Sequence, residues 1–137
     1  MSANTPLENL WHDATGASQL LGLQLFTAPD GVTVTMQVTP AHANRHGNLH
    51  GGLIATVLDT AMGATASYVR GDEGRVPFST ISMTVNFVAP MPMGSTITAK
   101  GRVIGGGYKI AFIEALARAQ DGTLVAQSTG TFKRAPI

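Results

Sequence analysis

The sequence of 137 residues contains no cysteine, which excludes disulfide bonds, thiolate zinc sites and a cysteine nucleophile. Charged residues are also few, at 12% of the chain, and the net charge of +1 gives no field that would favour nucleic acid or an anionic membrane. No apolar run approaches the roughly 18 residues of a membrane span. The N-terminus lacks the basic and apolar regions of a signal peptide. We therefore expect a cytoplasmic protein without nucleic-acid or membrane partners.

Hydrophobic residues make up 44% of the chain, a fraction too high for a disordered protein. A mass of 14.2 kDa accommodates one core, so residues 1–137 are predicted to form a single domain. Because charge is scarce, much of the surface is only weakly polar. An oligomer that covers part of that surface is the natural expectation.

Turn residues and hydrophobic periodicity predict a short helix, a hairpin, a long helix and four further strands, in that order. The short helix is predicted to begin in a capping box at Thr5 and Glu8, to pass through Leu10 and Trp11, and to be interrupted at Gly16. The other predicted elements are a brief turn at 19–22, strands at 21–26 and 32–38, a polar loop at 40–48, a helix at 51–69, and strands at 78–88, 95–104, 108–120 and 123–133. Short turns make neighbouring strands antiparallel, so we predict an α+β fold in which about six strands curl around one long central helix.

The start of the long helix carries the first candidate site. Gly51 and Gly52 are poor helix formers, and their presence indicates close approach of another molecule to the backbone. The free N–H groups of a helix's first turn carry partial positive charge and suit a developing oxyanion. The alternative is a plain loop-to-helix junction with Asn48 or His50 at the cap.

A single carboxylate, Asp59, interrupts the otherwise apolar long helix. Burial would raise its pKa towards that of a working general base, and hydrogen bonds would oppose the rise. The alternative is that Asp59 lies on an exposed stripe with Thr56 and Thr60.

Three histidines, His42, His46 and His50, are spaced by four residues, as metal ligands on one helix face would be. The residues between them favour a loop, and no carboxylate lies in that run to complete a ligand set. We therefore expect hydrogen-bonding or exposed histidines and no metal site.

Gly105–Gly107 is predicted to form a hairpin turn. A further hypothesis is that the backbone amides of this turn approach a phosphate, and the alternative is a hairpin turn without a ligand contact. Arg45, Lys109 and Arg134 are candidate phosphate partners, and the alternative is that these isolated basic side chains are only solvated. A G-x-S-x-G nucleophile elbow, a P-loop and a dinucleotide-binding glycine motif are absent from the sequence.

The pattern Asn-x5-His-Gly-Gly-x6-Asp over residues 44–59 resembles the hotdog-fold acyl-CoA thioesterases. The branch it looks most like is the phenylacetate-degradation and 4-hydroxybenzoyl-CoA type, which includes small vertebrate acyl-CoA thioesterases. The strand end at 86–90 and the order of elements are also similar, and the likeness runs from Leu21 to Lys133. The resemblance implies a hotdog fold, a homodimer joined sheet edge to sheet edge, and a homotetramer of two dimers with active sites at the dimer interface.

The resemblance assigns roles to five residues. The Gly51 N–H would polarise the thioester carbonyl, and Asp59 of the other subunit would act as general base or nucleophile. Asn44 would orient the water or the thioester. His50 would steady the loop and hydrogen-bond near the sulfur, and Thr80 would help to hold the water.

The resemblance further implies contacts with substrate and coenzyme A. The residues are Ser82, Phe87, Gly105, Gly106, Gly107, Tyr108, Lys109, Ile110 and Arg134. The expected reaction is hydrolysis of an acyl-CoA carrying an aryl, arylacetyl or medium-chain acyl group, with coenzyme A as part of the substrate and no cofactor. The alternatives are a hotdog hydratase or dehydratase acting on acyl thioesters and a non-catalytic acyl-CoA-binding domain.

Overall fold

The computed structural model describes residues 9–136, which form one seven-stranded antiparallel sheet around one long helix. The elements are β1 (Leu10–Trp11), α1 (Gly16–Leu21), β2 (Gln24–Ala28), β3 (Gly31–Gln37), a 3₁₀ turn (Pro40–His42), α2 (Gly51–Arg70), β4 (Phe78–Phe87), β5 (Thr96–Gly106), β6 (Ile110–Arg118) and β7 (Leu124–Arg134). The strand order across the sheet is β1-β2-β3-β5-β6-β7-β4. The α+β prediction of a sheet wrapped on one helix is therefore confirmed, with seven strands in place of six.

The core lies between α2 and the concave face of the sheet, where the helix packs on β3 to β7. Apolar residues at helical spacing bury one side of α2, and alternate residues of each strand point at them. The fully buried side chains include Val57, Leu58, Met62, Val34, Met36, Ile113 and Phe132. Burying each large aliphatic side chain contributes about 1.5–3 kcal/mol relative to leaving it in water.

Gly101 of β5 lets the helix lie directly on the sheet. A Cβ at Gly101 would collide with the Thr65 hydroxyl and would lie 2.7 Å from the Ala61 carbonyl oxygen. Thr65 is itself fully buried, and its hydroxyl accepts a hydrogen bond of 2.9 Å from the backbone N–H of Val32. The helix, β3 and β5 are thereby locked together at one point.

The N-terminal part of the structure differs from the prediction. Leu10 and Trp11 form a short strand that pairs with Leu25 and Phe26, where a helix was expected. An extended backbone can pair with the exposed edge of β2, and it places the Trp11 ring 6.0 Å from that of Tyr68. The predicted cap at residues 5–8 lies outside the described residues.

Gly16 begins α1, whereas the sequence predicted an interruption there. The Thr15 hydroxyl accepts from the Ser18 N–H and caps this short helix, and Gly22 ends it with a φ of 71°. The first hairpin strand consequently starts at Gln24, three residues later than predicted.

The turn between β5 and β6 lies two residues later than the predicted Gly105–Gly107 turn, at residues 107–109. β5 continues to Gly106, which pairs with Ala111, and the Gly107 N–H donates to the Ile110 carbonyl at 2.8 Å. Gly106 has a φ of 105°, a conformation that glycine adopts without strain.

The close approach at Gly101 leads to a stability prediction. Gly101→Ala should lower the free energy of unfolding by about 1–3 kcal/mol, because the new methyl group forces α2 away from β5. Urea unfolding followed by circular dichroism measures the change. Gly105→Ala is the matched control on the same strand, since its Cβ would meet only a Phe112 ring carbon at 3.5 Å. Equal stability of the two variants would contradict the prediction.

Candidate active site

The first turn of α2 leaves one backbone donor free. The His50 Nδ1 accepts from the Gly52 N–H at 2.9 Å, and the His50 carbonyl accepts from the N–H groups of Leu53 and Ile54 at 2.9 and 3.1 Å. The Gly51 N–H has no acceptor among residues 9–136. Because Nδ1 of His50 is an acceptor, the ring of the neutral histidine carries its hydrogen on Nε2, a second donor on the exposed side.

A cleft of about 410 Å³ opens in front of Gly51. The Phe87 ring forms one wall, and its Cε1 lies 3.4 Å from the position that a Cβ on Gly51 would take. The other apolar lining residues are Leu49, Ile54, Val88, Ala89, Pro90 and Met91, and the polar ones are Asn44, His46 and Asn48. Gly51, whose N–H has no acceptor within residues 9–136, is therefore one of the residues that line a largely apolar cleft.

The Asn44 side chain holds the loop that leads into α2. Its Oδ1 accepts from the N–H groups of His46 and Asn48 at 2.9 and 3.1 Å, while its own backbone N–H donates to the Asn48 carbonyl at 2.7 Å. The Asn44 oxygen is thus committed to the loop, and only the amide NH₂ is left to face a ligand.

Asp59 and Thr80 form the second polar pair of the site. The Thr80 hydroxyl donates to Oδ1 of Asp59 at 2.7 Å, from the edge strand β4 to the helix. Asp59 is half-buried in the isolated chain, on a stripe that it shares with Thr56 and Thr60. Both hypotheses about Asp59 therefore describe part of its environment. Asp59 lies on a partly exposed stripe of the helix, and its carboxylate also accepts a hydrogen bond from Thr80.

Gly51 and Asp59 are too far apart to act on one carbonyl within a single chain. Eight residues of α-helix separate them, which is about 12 Å along the axis at 1.5 Å per residue. A chemical step that uses both groups needs them from two copies of the chain.

A β-bulge in β4 decides which strand residues face the helix. Thr80 pairs with the buried Phe132 and so points to α2, but Ser82 pairs with Thr131 on the outer face of the sheet. The register shifts between these two positions, at Ile81. Ser82 therefore lies on the opposite face from Asp59, and its predicted substrate contact stays a prediction.

The predicted coenzyme A residues Tyr108, Lys109 and Arg134 come together at the other end of α2. With Lys133 they line a cleft of about 440 Å³, in which the Arg134 guanidinium stacks 4.2 Å from the centre of the Tyr108 ring. No carboxylate of residues 9–136 forms an ion pair with the three cations of this cleft. Arg45, the fourth cation suggested for phosphates, lies in the loop before α2, about 30 Å away along the helix.

Arg70 was missed by the sequence analysis. Its Nη1 donates to the Gly107 carbonyl at 3.3 Å, and its own carbonyl accepts from Nη1 of Arg134 at 2.8 Å. Arg70 thus links the end of α2 to the tip of the β5–β6 hairpin and to the cleft lined by Lys109, Lys133 and Arg134, which we call the basic cleft. The one available signal was a basic residue in the last turn of a helix.

The three histidines at 42, 46 and 50 serve separate purposes. His42 Nδ1 accepts from the Thr39 N–H at 3.1 Å, His50 caps α2, and His46 is exposed. Residues 9–136 contain no group of three His, Asp or Glu side chains placed to hold a metal ion.

Comparison with known proteins now identifies the family. Residues 46–126 match the family model of the thioesterase superfamily, which is more than half of the chain. The chain belongs to the thioesterase superfamily. The resemblance to hotdog thioesterases of the phenylacetate-degradation branch is thereby confirmed, together with the fold.

Three solved structures illustrate the similarity. The PaaI protein of the phenylacetic acid degradation operon of E. coli is 24% identical, with a TM-score of 0.82 over 90% of this chain and 86% of that one. Zebra fish thioesterase superfamily member 2 is 26% identical, with a TM-score of 0.76 over 90% and 88%. A hypothetical thioesterase from Streptococcus pneumoniae, solved with coenzyme A, is 23% identical, with a TM-score of 0.73 over 82% and 88%. No curated protein sequence matches this chain significantly.

Within residues 9–136, no helix of this chain has the length and apolar character needed to cross a membrane.

The hydrogen bonds of Asn44 lead to a prediction about the loop. Asn44→Ala removes the acceptor of two backbone N–H groups, so amide hydrogen exchange at His46 and Asn48 should become about five- to tenfold faster, which corresponds to about 1 kcal/mol per lost hydrogen bond. Asn44→Asp retains an oxygen acceptor and should keep both amides protected. Unchanged exchange in the alanine variant would show that the loop is held by other contacts.

Proposed function

We propose that this chain hydrolyses an acyl-CoA thioester with an aryl, arylacetyl or medium-chain acyl group to the free acid and coenzyme A. The observation that carries the proposal is the N–H of Gly51, which has no acceptor within residues 9–136 and belongs to a residue that lines a largely apolar cleft at the start of a 20-residue helix. The similar Streptococcus pneumoniae thioesterase solved with coenzyme A supports the substrate class. In the proposed reaction coenzyme A enters as part of the substrate, and no cofactor takes part.

The thioester carbonyl oxygen is proposed to accept a hydrogen bond from the Gly51 N–H. Negative charge develops on that oxygen as the tetrahedral intermediate forms, and both the N–H and the partial positive charge of the helix start stabilise it. A single oxyanion donor of this kind typically accelerates the chemical step by about 10²–10³-fold. The Nε2–H of His50 and the NH₂ of Asn44 are further donors beside the cleft.

Asp59 is proposed to activate the water or to attack the carbonyl carbon. As a general base its carboxylate takes one proton from water, the hydroxide adds to the carbonyl carbon, and collapse of the intermediate expels the coenzyme A thiolate. As a nucleophile it forms an acyl anhydride and releases the same thiolate, and water then cleaves the anhydride. In both routes the hydrogen bond from Thr80 orients Oδ1.

The separation of about 12 Å between Gly51 and Asp59 leads us to propose a homodimer with two active sites, each using Gly51 of one copy and Asp59 of the other. The exposed Ile104 and Phe112 on the outer face of the sheet support a second contact, through which two dimers form a homotetramer. The cysteine-free composition is in keeping with a cytoplasmic enzyme.

The basic cleft is proposed to hold the phosphate groups of coenzyme A. Arg70, at its edge, lies eleven residues after Asp59, which is about 17 Å along the same helix. The subunit that supplies Asp59 therefore presents its own Lys109, Lys133 and Arg134 at the distance that an extended pantetheine arm spans. The basic cleft of the subunit that supplies Gly51 lies farther off, at the opposite end of its helix.

The reaction is tested by thiol release from phenylacetyl-, hydroxybenzoyl-, hexanoyl- and palmitoyl-CoA. Asp59→Asn should lower kcat by about 10²–10⁴-fold on the best substrate, because it removes the base or nucleophile. Asp121→Asn is the matched control, since this carboxylate is exposed in the turn between β6 and β7. Absence of thiol release from all four thioesters by the folded wild-type protein would overturn the proposal and direct attention to hydration of acyl thioesters and to ligand binding without turnover.

The shared site is tested with two inactive variants that complement each other. Gly51→Pro deletes the donor N–H at the first helical position, where proline fits, after a residue with extended backbone (His50, ψ 133°). It should lower kcat by about 10²–10³-fold, whereas Gly51→Ala keeps the N–H and should lose less.

Co-expression of Gly51→Pro chains with Asp59→Asn chains should restore about a quarter of the wild-type activity, because half of the dimers are mixed and each mixed dimer holds one intact site out of two. No recovery in the mixture would show that both groups act within one chain.

A further inference from the structure

Two histidine rings hold the segment 39–52, which leads into α2 and which we call the histidine loop. Nδ1 of His42 accepts from the Thr39 N–H at 3.1 Å, and Nδ1 of His50 accepts from the Gly52 N–H at 2.9 Å. The His50 N–H donates to the His42 carbonyl at 2.9 Å, so one chain of hydrogen bonds connects the two ends of the loop. Gly51 lies between the last two residues of that chain, and its position at the cleft therefore depends on both rings.

Both side-chain hydrogen bonds require a neutral histidine ring. A backbone N–H can only donate, so the ring nitrogen that accepts from it must keep its lone pair. Protonation converts each Nδ1 into a second N–H donor, which leaves two donors facing each other where a hydrogen bond had been. The bond between Thr39 and His42, or between Gly52 and His50, is then lost. A proton on either ring therefore opens one end of the histidine loop.

The charges of the loop and of α2 do not favour protonation of these rings. Arg45 and, once protonated, His46 lie in the same loop and would repel a histidine cation. The start of α2 carries partial positive charge, which opposes a cation on His50. Asp59, the first carboxylate of α2, lies nine residues after His50, which is about 14 Å along the helix axis.

The segments packed against the histidine loop add no charge either. The loop bonds to the chain after β4 through Leu49, whose N–H donates to the Met91 carbonyl at 2.8 Å. Residues 76–99 contain that segment and the whole of β4, and they include no acidic, basic or histidine side chain. Residues 31–41, which contain β3 and lead into the loop, have none.

Asp121, the carboxylate across a cleft from Pro92, is engaged elsewhere. Its Oδ1 accepts from the Thr123 N–H at 3.0 Å, which holds the pKa of Asp121 below its usual value. No ion pair within residues 9–136 involves His42 or His50. A proton on either ring therefore breaks a hydrogen bond without forming an ion pair in its place.

We propose that His42 and His50 form a proton-sensitive lock on the Gly51 donor. In their neutral forms the two rings hold the histidine loop, and with it the Gly51 N–H, in one geometry. Protonation of either ring releases the loop, so the donor is no longer held where charge develops on the carbonyl oxygen. His42 acts through His50 and is a positioning residue. The effect on turnover rests on the proposed function, whereas the opening of the loop does not.

Amide hydrogen exchange of the full-length protein, followed by NMR, tests the lock directly. Protection of the Thr39 and Gly52 amides, taken relative to the intrinsic exchange rate at each pH, should fall about five- to tenfold between about pH 7.5 and about pH 5. Histidine gains its proton in this range, and each amide then loses its acceptor. The Val32 amide is the internal control, because it donates to the buried Thr65 hydroxyl, which does not titrate.

Asparagine substitutions separate the two rings. The Oδ1 of asparagine occupies the place of Nδ1, attached to Cγ, and accepts a hydrogen bond without titrating. His42→Asn should keep the Thr39 amide protected in acid while the Gly52 amide still loses protection, and His50→Asn should give the opposite pattern. His46→Asn is the matched control and should retain the wild-type response at both amides, since the exposed His46 side chain has no hydrogen bond within residues 9–136.

The ring nitrogens give a second measurement that needs no variant. In nitrogen-labelled wild-type protein near neutral pH, NMR of the rings of His42 and His50 should show a bare Nδ1 and a protonated Nε2 on both. A proton on Nδ1 of either ring under these conditions would overturn the inference.

The consequence for turnover is measured as the ratio of kcat in mild acid to kcat near neutral pH on the best thioester, so that any change in the basal rate cancels. A chain that carries both His42→Asn and His50→Asn should show a ratio about five- to tenfold higher than that of the wild-type protein, because neither acceptor can then be protonated. Equal ratios in the two proteins would show that the loop does not control the donor and would overturn the lock.

The remaining outcomes separate the lock from the reaction. Wild-type Thr39 and Gly52 amides that stay protected in acid would overturn the inference. Loss of protection at Thr39 in His42→Asn and at Gly52 in His50→Asn would also overturn it, because another group would then open the loop. Opening in the expected pattern, in a protein that releases no thiol from any of the four acyl-CoA thioesters, would reject the proposed reaction and leave the proton-sensitive loop standing.

Discussion

The contact of α2 with β5 at Gly101 is the constraint on which the rest of the structure depends. Because a glycine lies under Ala61 and Thr65, the helix rests directly on the strand backbone, and the buried Thr65 hydroxyl ties it to β3 as well. The helix carries the Gly51 donor at its start, Asp59 two turns later and Arg70 at its end. Its position on the sheet therefore determines where all three groups lie relative to the strands.

A rigid helix also keeps its own groups apart, which is why the proposed site draws on two chains. Nothing within one copy can shorten the roughly 12 Å between Gly51 and Asp59, because the rise per residue of an α-helix is constant. The edge strand β4 lies beside both groups, through the Thr80 hydroxyl at one end and the Phe87 ring at the other.

The sequence could predict only those parts of the candidate site whose residues lie within a short stretch of the chain. The glycines at the start of a long apolar helix and the lone carboxylate two turns on are visible in a short window, and the structure puts them on one helix. The Asn44 role illustrates the limit. Its Oδ1 is occupied by the His46 and Asn48 N–H groups, a detail of loop conformation that composition does not reveal.

By itself the sequence determined the antiparallel sheet, the span of the long helix and the residues of its first two turns, because alternation, helical spacing and turn residues act over a few positions. The tertiary structure decided the rest. Trp11 joined a strand because the β2 edge was available, Ser82 turned outward because a bulge forms only when β4 meets β7, and Arg70 reached the hairpin tip 37 residues away. These features depend on partners distant in the chain, and a local pattern carries no information about them.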